Sequence, residues 1–403
     1  MRIFVEKSNF NNPEDRHGLP GWTYFSPSLF EVEAEKLFRQ HWQLVCHESD
    51  VANKGQFITF DLVNERALII KGKDGIIRAF HNLCRHRGSR VVAEERGICK
   101  SAMVCPFHGW SFNLDGSLRG VSQSQSFPNL DPRNWGLKPI ECEIWQGFIF
   151  IRFKPGDQPS ISKIMAPYEK LVKDHQLEKL VSCQPPSLSD CWTVNWKAMR
   201  DVDNEAYHVP MAHPGLQDLY GKDYKDYEII GDTTLNIGTF NSAPSSRWSV
   251  KLYRKMIDNL PKPLSSLPKA WVYISIFPNQ VISLYPDSVI FYQDIPISVN
   301  TSRQRYAVYA RPNEDRVTRV ARKLSGRIDA ITAIEDMQLM QWSYEAMQSS
   351  AFDGLMLSDL ESGVGQYHSW LKKRLPVMSQ STEPLEIRSV SYTHLTLPSI
   401  YSV

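Results

Sequence analysis

The most constraining stretch of the sequence is Asn195–Pro214, NWKAMRDVDNEAYHVPMAHP, an acid-rich run that ends in two histidines. With 3.6 residues per helical turn, Asp201, Glu205 and His208 stand at positions i, i+4 and i+7, which share one face of an α-helix. Asp203 points away from that face. The spacing therefore predicts a helix that presents two carboxylates and one imidazole on a single side.

The second histidine, His213, follows His208 by five residues, too far round a straight helix for both imidazoles to reach one ion. Pro210 lies between them and is expected to break the helix, because proline removes a backbone donor and clashes with the preceding turn. The chain can then turn and bring both rings to a common point. Two neutral imidazoles and a carboxylate from elsewhere form the facial triad of non-haem Fe(II) oxygen chemistry.

Composition argues against several classes of protein. The 403 residues include 46 basic and 44 acidic ones, a balance that does not favour binding to nucleic acid or to a charged membrane surface. The sequence shows no apolar run long enough to cross a bilayer and no secretory signal. Seven cysteines at irregular spacings do not resemble a disulfide framework, so we expect a cytoplasmic protein with reduced thiols.

The pattern of elements predicts an α+β fold with an inserted all-β module. Ser26 as N-cap and Pro27 at the first helical position predict a helix that extends to Trp42. From Gln56 to about Phe153, short β-rich runs alternate with turn residues, and the turn-rich FKPGDQPS closes the module. The expected divisions are an N-terminal helical segment at 1–40, the β module at 41–154, a larger domain at 155–388 and a disordered or non-native tail at 389–403.

The larger domain is predicted to contain an antiparallel sheet covered by helices. Four strand-like runs, WVYISIF, VISLYP, VIFYQDI and RQRYAVYAR, lie between about Trp271 and Arg311. Apolar residues at helical spacing predict a long helix from about Asp329 to Ser349. Aromatic residues of these elements could line an apolar pocket and either stack on a ring or cage a quaternary ammonium. The candidates are Trp271, Tyr273, Phe277, Phe291, Tyr292, Trp342 and Tyr344.

Two mixed Cys/His pairs lie inside the β module, Cys84-Arg-His86 and Cys105-Pro-Phe-His108. Such a set could hold a tetrahedral structural zinc. It could equally hold a [2Fe-2S] cluster in which two cysteines bind one iron and two histidines the other. Zinc sites usually pair like residues with like, whereas both pairs here are mixed, and this favours the iron–sulfur cluster. Such a cluster would also supply electrons to an oxygen-activating iron.

These motifs resemble those of the Rieske non-haem iron oxygenases, the aromatic-ring-hydroxylating dioxygenase α subunits and their relatives. The resemblance rests on CRHRG and CPFHGWSFNLDGSL and extends from about Leu19 to Leu375. Respiratory Rieske proteins carry an additional cysteine in each loop, at the positions of Ser89 and Phe107 here, so the oxygenase type is the better match. The resemblance implies a Rieske [2Fe-2S] domain at 41–154 and a catalytic mononuclear iron domain at 155–388. The implied cluster ligands are Cys84, His86, Cys105 and His108.

The family pattern around the mononuclear iron, N-W-K followed by [DE]-x-Y-H-x4-H, matches the stretch described first. The resemblance implies that His208 and His213 are iron ligands. It also implies that Glu205 bridges two metal centres, accepting hydrogen bonds from His208 and from His108 of the partner subunit. Many members have Asp in place of Glu205, and Glu is familiar among relatives that act on quaternary amines. Asp201 stands where many members carry Asn, and it is a further candidate catalytic residue.

The third iron ligand is expected far along the chain. Family members close their catalytic domain with a helix that reads E-D-x7-Q-x-G-L-x-S, and Glu335-Asp336 opens a segment in the same register. Two later positions of the motif differ here. The resemblance therefore implies Asp336 as the third ligand, with Asp329 and Asp353 as alternatives.

The resemblance implies a terminal oxygenase that uses O2 to hydroxylate a small aromatic or ring compound. The chain has no convincing Gly-rich dinucleotide motif, so electrons are expected from a separate NAD(P)H-dependent reductase or a ferredoxin. A homotrimer or a multiple of one is implied, with or without a β subunit. One alternative is an N-demethylating or C–N-cleaving monooxygenase of a quaternary or tertiary amine. An alternative of another class is a non-enzymatic iron–sulfur electron carrier or a zinc-stabilised binding protein.

Overall fold

The computed structural model describes residues 16–221, 224–352 and 354–387. The chain divides into two compact units. The first unit consists of Phe38–Ser187 and Tyr306–Pro312. The second unit consists of Met1–Leu37, Leu188–Arg305 and Asn313–Val403. Antiparallel sheets and helices confirm the predicted α+β class. The predicted tail at 389–403 and Asp353 lie outside the described residues. No helix among the described residues is long and apolar enough to cross a membrane.

The α-helices of the described residues differ in how they begin, and only some of them have a side-chain cap. They are α1 Pro27–Glu33, α2 Ile161–Met165, α3 Glu169–Val172, α4 Trp196–Asp203, α5 Val209–Ala212, α6 Pro214–Tyr220, α7 Trp248–Asp258, α8 Arg316–Ala346 and α9 Ser362–Arg374. Ser26 caps α1 by accepting a hydrogen bond from the N–H of Leu29 at 3.1 Å, as predicted. Helical structure ends with a π-turn at Ala34–Phe38, short of the predicted Trp42, because strand β1 begins at Gln43.

The first unit contains a seven-stranded antiparallel sheet and a small three-stranded one. Its strands are β1 Gln43–His47, β2 Gln56–Leu62, β3 Glu65–Lys71, β4 Ile77–His81, β5 Arg96–Ile98, β6 Met103–Val104, β7 Ser111–Phe112, β8 Leu118–Gly120, β9 Pro139–Trp145 and β10 Phe148–Arg152. The large sheet has the order β1-β10-β9-β4-β3-β2-β5 and the small sheet β6-β7-β8. Buried Leu68, Phe80, Trp110 and Phe112 belong to the apolar cluster that supports both loops bearing the Cys/His pairs.

The second large sheet has the order β11-β17-β16-β15-β14-β13-β12. Its strands are β11 Val181–Leu188, β12 Tyr224–Ile230, β13 Thr233–Thr239, β14 Ala270–Ile276, β15 Gln280–Leu284, β16 Val289–Ser298 and β17 Thr301–Ala310. The four predicted strands correspond to β14–β17, and their antiparallel pairing is confirmed. Strand β13 was not predicted, because some of its buried side chains are polar and the apolar pattern of a strand is therefore weak. These side chains are Thr233, Thr234 and Asn236.

The long helix α8 begins 13 residues before its predicted start, at Arg316 rather than Asp329. Asp315 caps it by accepting a hydrogen bond from the N–H of Thr318 at 2.8 Å. The first half of α8 is rich in Arg and Lys and contains Gly326, so its apolar periodicity is weak. Helices α4, α6 and α7 all pack against α8, which places its middle section beside the segment that carries the two predicted histidines.

Candidate functional sites

The two Cys/His pairs lie on two loops of the same form. In the first loop the N–H of Gly88 donates to the carbonyl of Cys84 at 2.9 Å. In the second loop the N–H of Gly109 donates to the carbonyl of Cys105 at 3.0 Å. Both glycines have positive φ, 77° and 71°, which glycine adopts without the steric cost of a Cβ. Short backbone turns therefore fix each cysteine relative to the histidine that follows it.

The donor side chains of these two loops lie close to one another. Cys84 and Cys105 are buried free thiols. Burial raises the pKa of Cys84, and its contact with Cys105 raises it further. The rings of His86 and His108 lie 4.6 Å apart, and the buried Nδ1 of His86 has no hydrogen-bond partner among the described residues. Two thiols and two imidazoles in this state fit a group that takes two sulfur and two nitrogen donors.

Aromatic packing holds the first histidine of this set in place. The His86 ring stacks on Trp110 at 5.1 Å with 6° between the planes. Phe127 meets both rings edge-on, at 5.8 Å from His86 and 5.6 Å from Trp110. The orientation of the imidazole is therefore set by packing, which leaves its unpartnered nitrogen available to a bound group.

The acid-rich stretch folds differently from its predicted single helix. Helix α4 ends at Asp203, so the predicted face shared by Asp201, Glu205 and His208 does not exist. Pro210 does not break this helix. It lies in the first turn of the short helix α5, where a missing N–H costs no intrahelical hydrogen bond. The turn that reorients the chain is therefore the segment between α4 and α5.

The structure brings His208, His213 and Asp336 together. The Nε2 atom of His213 lies 3.0 Å from Nε2 of His208 and 2.8 Å from Oδ1 of Asp336. The third side of this triangle, from His208 Nε2 to Asp336 Oδ1, measures 3.5 Å. One donor atom from each residue thus lies within 4.8 Å of the other two. Two imidazole nitrogens and one carboxylate oxygen are the donor set expected for a mononuclear non-haem iron.

Two further carboxylates hold the outer nitrogens of the imidazoles. Nδ1 of His208 is hydrogen-bonded to Glu205, and Nδ1 of His213 lies 2.9 Å from Oε2 of Glu335. A proton on each Nδ1 satisfies both contacts and leaves both Nε2 lone pairs facing inward. The sequence assigned no role to Glu335. Its only signal was its place beside Asp336 in the acidic pair.

The electrostatics of this cluster favour a bound cation. Burial opposes the charged form of His208, but hydrogen bonds with Asp336 and Glu205 outweigh it and raise the pKa of His208 to about 10. The same balance raises the pKa of His213. Burial would raise the pKa of Asp336, but the two imidazoles outweigh it and lower that pKa. Three carboxylates around two imidazoles thus stabilise positive charge, which a divalent metal supplies.

The remaining acidic candidates have other partners. Asp201 accepts a hydrogen bond from the Tyr24 hydroxyl at 2.5 Å and lies 2.8 Å from Nε2 of His368, and its described contacts do not include the histidine cluster. Burial, followed by the charge of Asp201, raises the pKa of Tyr24. Asp329 is not a member of the cluster either, because its Oδ1 accepts a hydrogen bond from Tyr285 at 3.0 Å.

The aromatic candidates divide by exposure. Trp271, Phe277, Phe291 and Tyr344 are buried, whereas Tyr273 and Tyr292 are half-buried. Trp342 is 60% exposed in the single chain and does not line an enclosed pocket there. The two half-buried tyrosines belong to strands β14 and β16.

The sequence matches two protein families. Residues 41–131 match the Rieske [2Fe-2S] domain, and residues 171–376 match the ring hydroxylating alpha subunit (catalytic domain). The chain is 28% identical to the carnitine monooxygenase oxygenase subunit of Escherichia coli (strain K12), over 90% of this chain and 94% of that one. It is 32% identical to the glycine betaine monooxygenase oxygenase subunit of Pseudomonas aeruginosa, over 49% of this chain and 45% of that one.

The fold is also similar to a solved structure. A quaternary ammonium Rieske monooxygenase superposes with a TM-score of 0.75 at 23% identity, covering 92% of this chain and 100% of the other.

Proposed function

Since the chain belongs to the Rieske ring-hydroxylating oxygenase family, as a terminal oxygenase with a [2Fe-2S] cluster and a mononuclear non-haem iron, we propose that it oxidises a small quaternary amine. The family confirms the predicted enzyme class, cofactors and terminal-oxygenase function. As a member, the chain needs an electron donor and a small-molecule substrate. Hydroxylation of a carbon bonded to nitrogen would give an unstable product that collapses to an aldehyde and an amine.

The observation that carries the amine proposal is the extent of the similarity to the carnitine monooxygenase oxygenase subunit, which covers nine-tenths of this chain. The shorter match to the glycine betaine enzyme points to the same class of substrate. Glu205 adds weight, because Glu rather than Asp at this position is familiar among relatives that act on quaternary amines. Hydroxylation of an aromatic or ring compound is the second candidate, since the family takes its name from that reaction.

The proposed ligands of the mononuclear iron are His208, His213 and Asp336, and those of the cluster are Cys84, His86, Cys105 and His108. When bound, the cluster would supply electrons and the mononuclear iron would activate O2. The protein contributes the orientation of its donors. Glu335 holds the proton on Nδ1 of His213, and Glu205 does the same for His208. Each imidazole then enters the site in a single tautomer.

The finer assignments of partners and domains belong to the same proposal. Glu205 is proposed to face the cluster domain of a second subunit, which requires a ring of at least three chains. The electron donor is proposed to be an NAD(P)H-dependent reductase or a ferredoxin. The free thiols of the described residues agree with a cytoplasmic location. The divisions at 41–154 and 155–388 remain a prediction, as does any catalytic role of Asp201.

A single-turnover experiment tests the substrate without the unidentified reductase. The protein is chemically reduced, mixed with carnitine, glycine betaine, choline or an aromatic hydrocarbon under anaerobic conditions, and then exposed to O2. The proposal expects an aldehyde and an amine from at least one quaternary amine, and no diol or phenol from the hydrocarbon. A diol or phenol without any amine cleavage would overturn it in favour of the second candidate.

A further inference from the structure

A buried arginine connects the end of helix α4 to strand β16. Arg200 is 2% exposed, and its Nη1 lies 2.7 Å from Oδ2 of Asp203 and 3.3 Å from Oδ2 of Asp294. Its Nη2 donates a hydrogen bond to Oδ1 of Asn204 at 3.1 Å. The hydroxyl of Tyr292, in β16, donates to Oδ1 of Asp203 at 2.7 Å. We call these five residues the arginine network.

The arginine network is a set of buried paired charges and differs from a salt bridge at the surface. Asp294 is 1% exposed, and Gln304 of β17 donates to its Oδ1 at 3.3 Å. Burial opposes the charge of Arg200, but Asp203 and Asp294 outweigh it and raise the pKa of the guanidinium group. Breaking one of these contacts would leave another charge buried and unpaired, so the geometry of the arginine network is strongly held.

The arginine network ends where the turn towards the histidines begins. Asn204 is the C-cap residue of α4, and the next residue is Glu205. Oε2 of Glu205 accepts hydrogen bonds from the backbone N–H groups of Tyr207 and His208. Its Oε1 is hydrogen-bonded to Nδ1 of His208. The α4–α5 turn is therefore held by the arginine network at its start and by the carboxylate of Glu205 at its end.

The side chain of Glu205 cannot set the position of this turn relative to the sheet. Among the residues that the structure describes, its hydrogen bonds all go to groups within three residues of it along the chain. The contacts from the end of α4 to β16 come instead from Arg200 and Asp203, which bind Asp294 and Tyr292. The arginine network thus joins the local turn to the antiparallel sheet of the second unit.

We infer that Asp203 is a positioning residue for the mononuclear iron site, an inference that rests on the proposed function. Through Arg200 and Tyr292, Asp203 holds the α4–α5 turn against β16. This attachment keeps the carboxylate of Glu205 on Nδ1 of His208, the contact that fixes the tautomer of the imidazole. Without the attachment the turn gains conformational freedom, and His208 presents its Nε2 to the iron less often.

Chelator titration of the anaerobic holoenzyme tests this inference, with the mononuclear iron that remains bound as the readout. Asp203→Ala leaves the pair of Arg200 with Asp294 in place and should weaken iron binding about tenfold. Asp203→Asn retains an acceptor for Tyr292 and should recover part of this loss. Tyr292→Phe should weaken iron binding about threefold. Tyr309→Phe loses a similar hydroxyl–carboxylate bond, to Asp50 in the first unit, and should leave iron binding unchanged.

A double variant separates positioning from general stability. If Asp203 acts through Glu205, Asp203→Ala should weaken iron binding by less than about twofold in a Glu205→Gln background, whereas independent effects would multiply. Full multiplication overturns the inference, as does wild-type iron binding in Asp203→Ala. Should Asp203→Ala not fold, Tyr292→Phe is measured in both backgrounds, and equal iron binding in Tyr292→Phe and Tyr309→Phe overturns the inference. A wild-type protein that binds no mononuclear iron overturns the proposed function itself.

Discussion

The two candidate metal sites differ in how far apart their donors lie in the sequence. Each Cys/His pair sits on a single glycine-closed turn, Cys84–Gly88 or Cys105–Gly109, so local backbone geometry arranges it. The histidine cluster instead joins two short helices to Asp336, which follows His213 by 123 residues. One site is therefore built by turn chemistry, and the other by the packing of α8 against the elements that carry the histidines.

The two sites also differ in their electrostatic character. The cluster loops contain no carboxylate among their proposed donors, and His108 is exposed in the single chain. The histidine cluster places three carboxylates around two imidazoles, and His213 is only 1% exposed. A site formed by turns can thus lie at a surface, whereas one that concentrates negative charge needs tertiary packing to hold it together.

The largest effects are expected when each of the two metal sites is removed separately. Asp336→Ala should abolish product formation and release one of about three irons per chain, while the visible spectrum of the cluster persists. Cys84→Ser should bleach that spectrum and leave the mononuclear iron bound. Iron analysis with absorbance spectra measures both. A spectrum lost in Asp336→Ala would show that the sites do not form independently.

A second prediction concerns the tertiary support of α4. Lys197 lies 2.6 Å from Glu33, and both side chains are buried. Lys197→Met leaves a buried unpaired carboxylate and should lower the free energy of unfolding by about 3–5 kcal/mol. Denaturant titration checks this, and the double variant with Glu33→Gln should recover most of the loss. Full stability in the single variant would contradict the role of this ion pair.

A third prediction addresses the carboxylate that the sequence did not reveal. Glu335→Gln keeps an acceptor for His213 but removes its charge, and should weaken the binding of the mononuclear iron about 10- to 100-fold. Dialysis against graded chelator concentrations measures the change. Glu345→Gln, at an exposed position of the same helix, is the matched control. Equal iron retention in both variants would remove Glu335 from the site.

A fourth prediction follows from the pKa of Asp329, which burial raises from 3.8 to about 8. The unfolded chain releases this proton near pH 4 and the folded chain only near pH 8, so the group destabilises the fold progressively between these values. Asp329→Asn should therefore match wild type below pH 4 and exceed its stability by an amount that grows as the pH rises to about 8. Unfolding curves across this range would refute the expectation if the difference did not grow with pH.

The smallest effect is expected at the two glycines of the cluster loops. Gly88→Ala and Gly109→Ala should each cost about 1–2 kcal/mol, because both positions have positive φ. A Cβ at Gly109 would also lie 2.8 Å from Oγ of Ser122, whereas one at Gly88 meets nothing within 4 Å. Gly109→Ala should thus lose its cluster absorbance at the lower temperature, and adding Ser122→Ala should restore parity. If both single variants lost the cluster absorbance at the same temperature, the steric contact between a Cβ at position 109 and Ser122 would be refuted.

Much of the fold and of the sites was predictable where the signal is local. The Ser26 cap, strand β2 and the strands β14–β17 follow from short patterns of capping and alternation. The prediction that Asp201, Glu205 and His208 share one helical face is wrong, because α4 ends at Asp203. Helical periodicity alone does not show where a helix ends. The hydrogen-bonded connection of Tyr220, Tyr273, Tyr285 and Asp329 could not be predicted, since these four side chains come from four separate elements.

The sequence by itself determined the donor types and the local turns. The geometry of a Cys/His pair within five residues, or of a proline in the first turn of a helix, depends only on the neighbouring backbone. Tertiary structure decided which carboxylates meet the imidazoles. Asp329 and Asp336 share one face of α8, and only the packing of that helix puts one beside His213 and the other beside Tyr285. The physical reason is that electrostatic and hydrogen-bond interactions act over a few ångströms in space, whatever the distance along the chain.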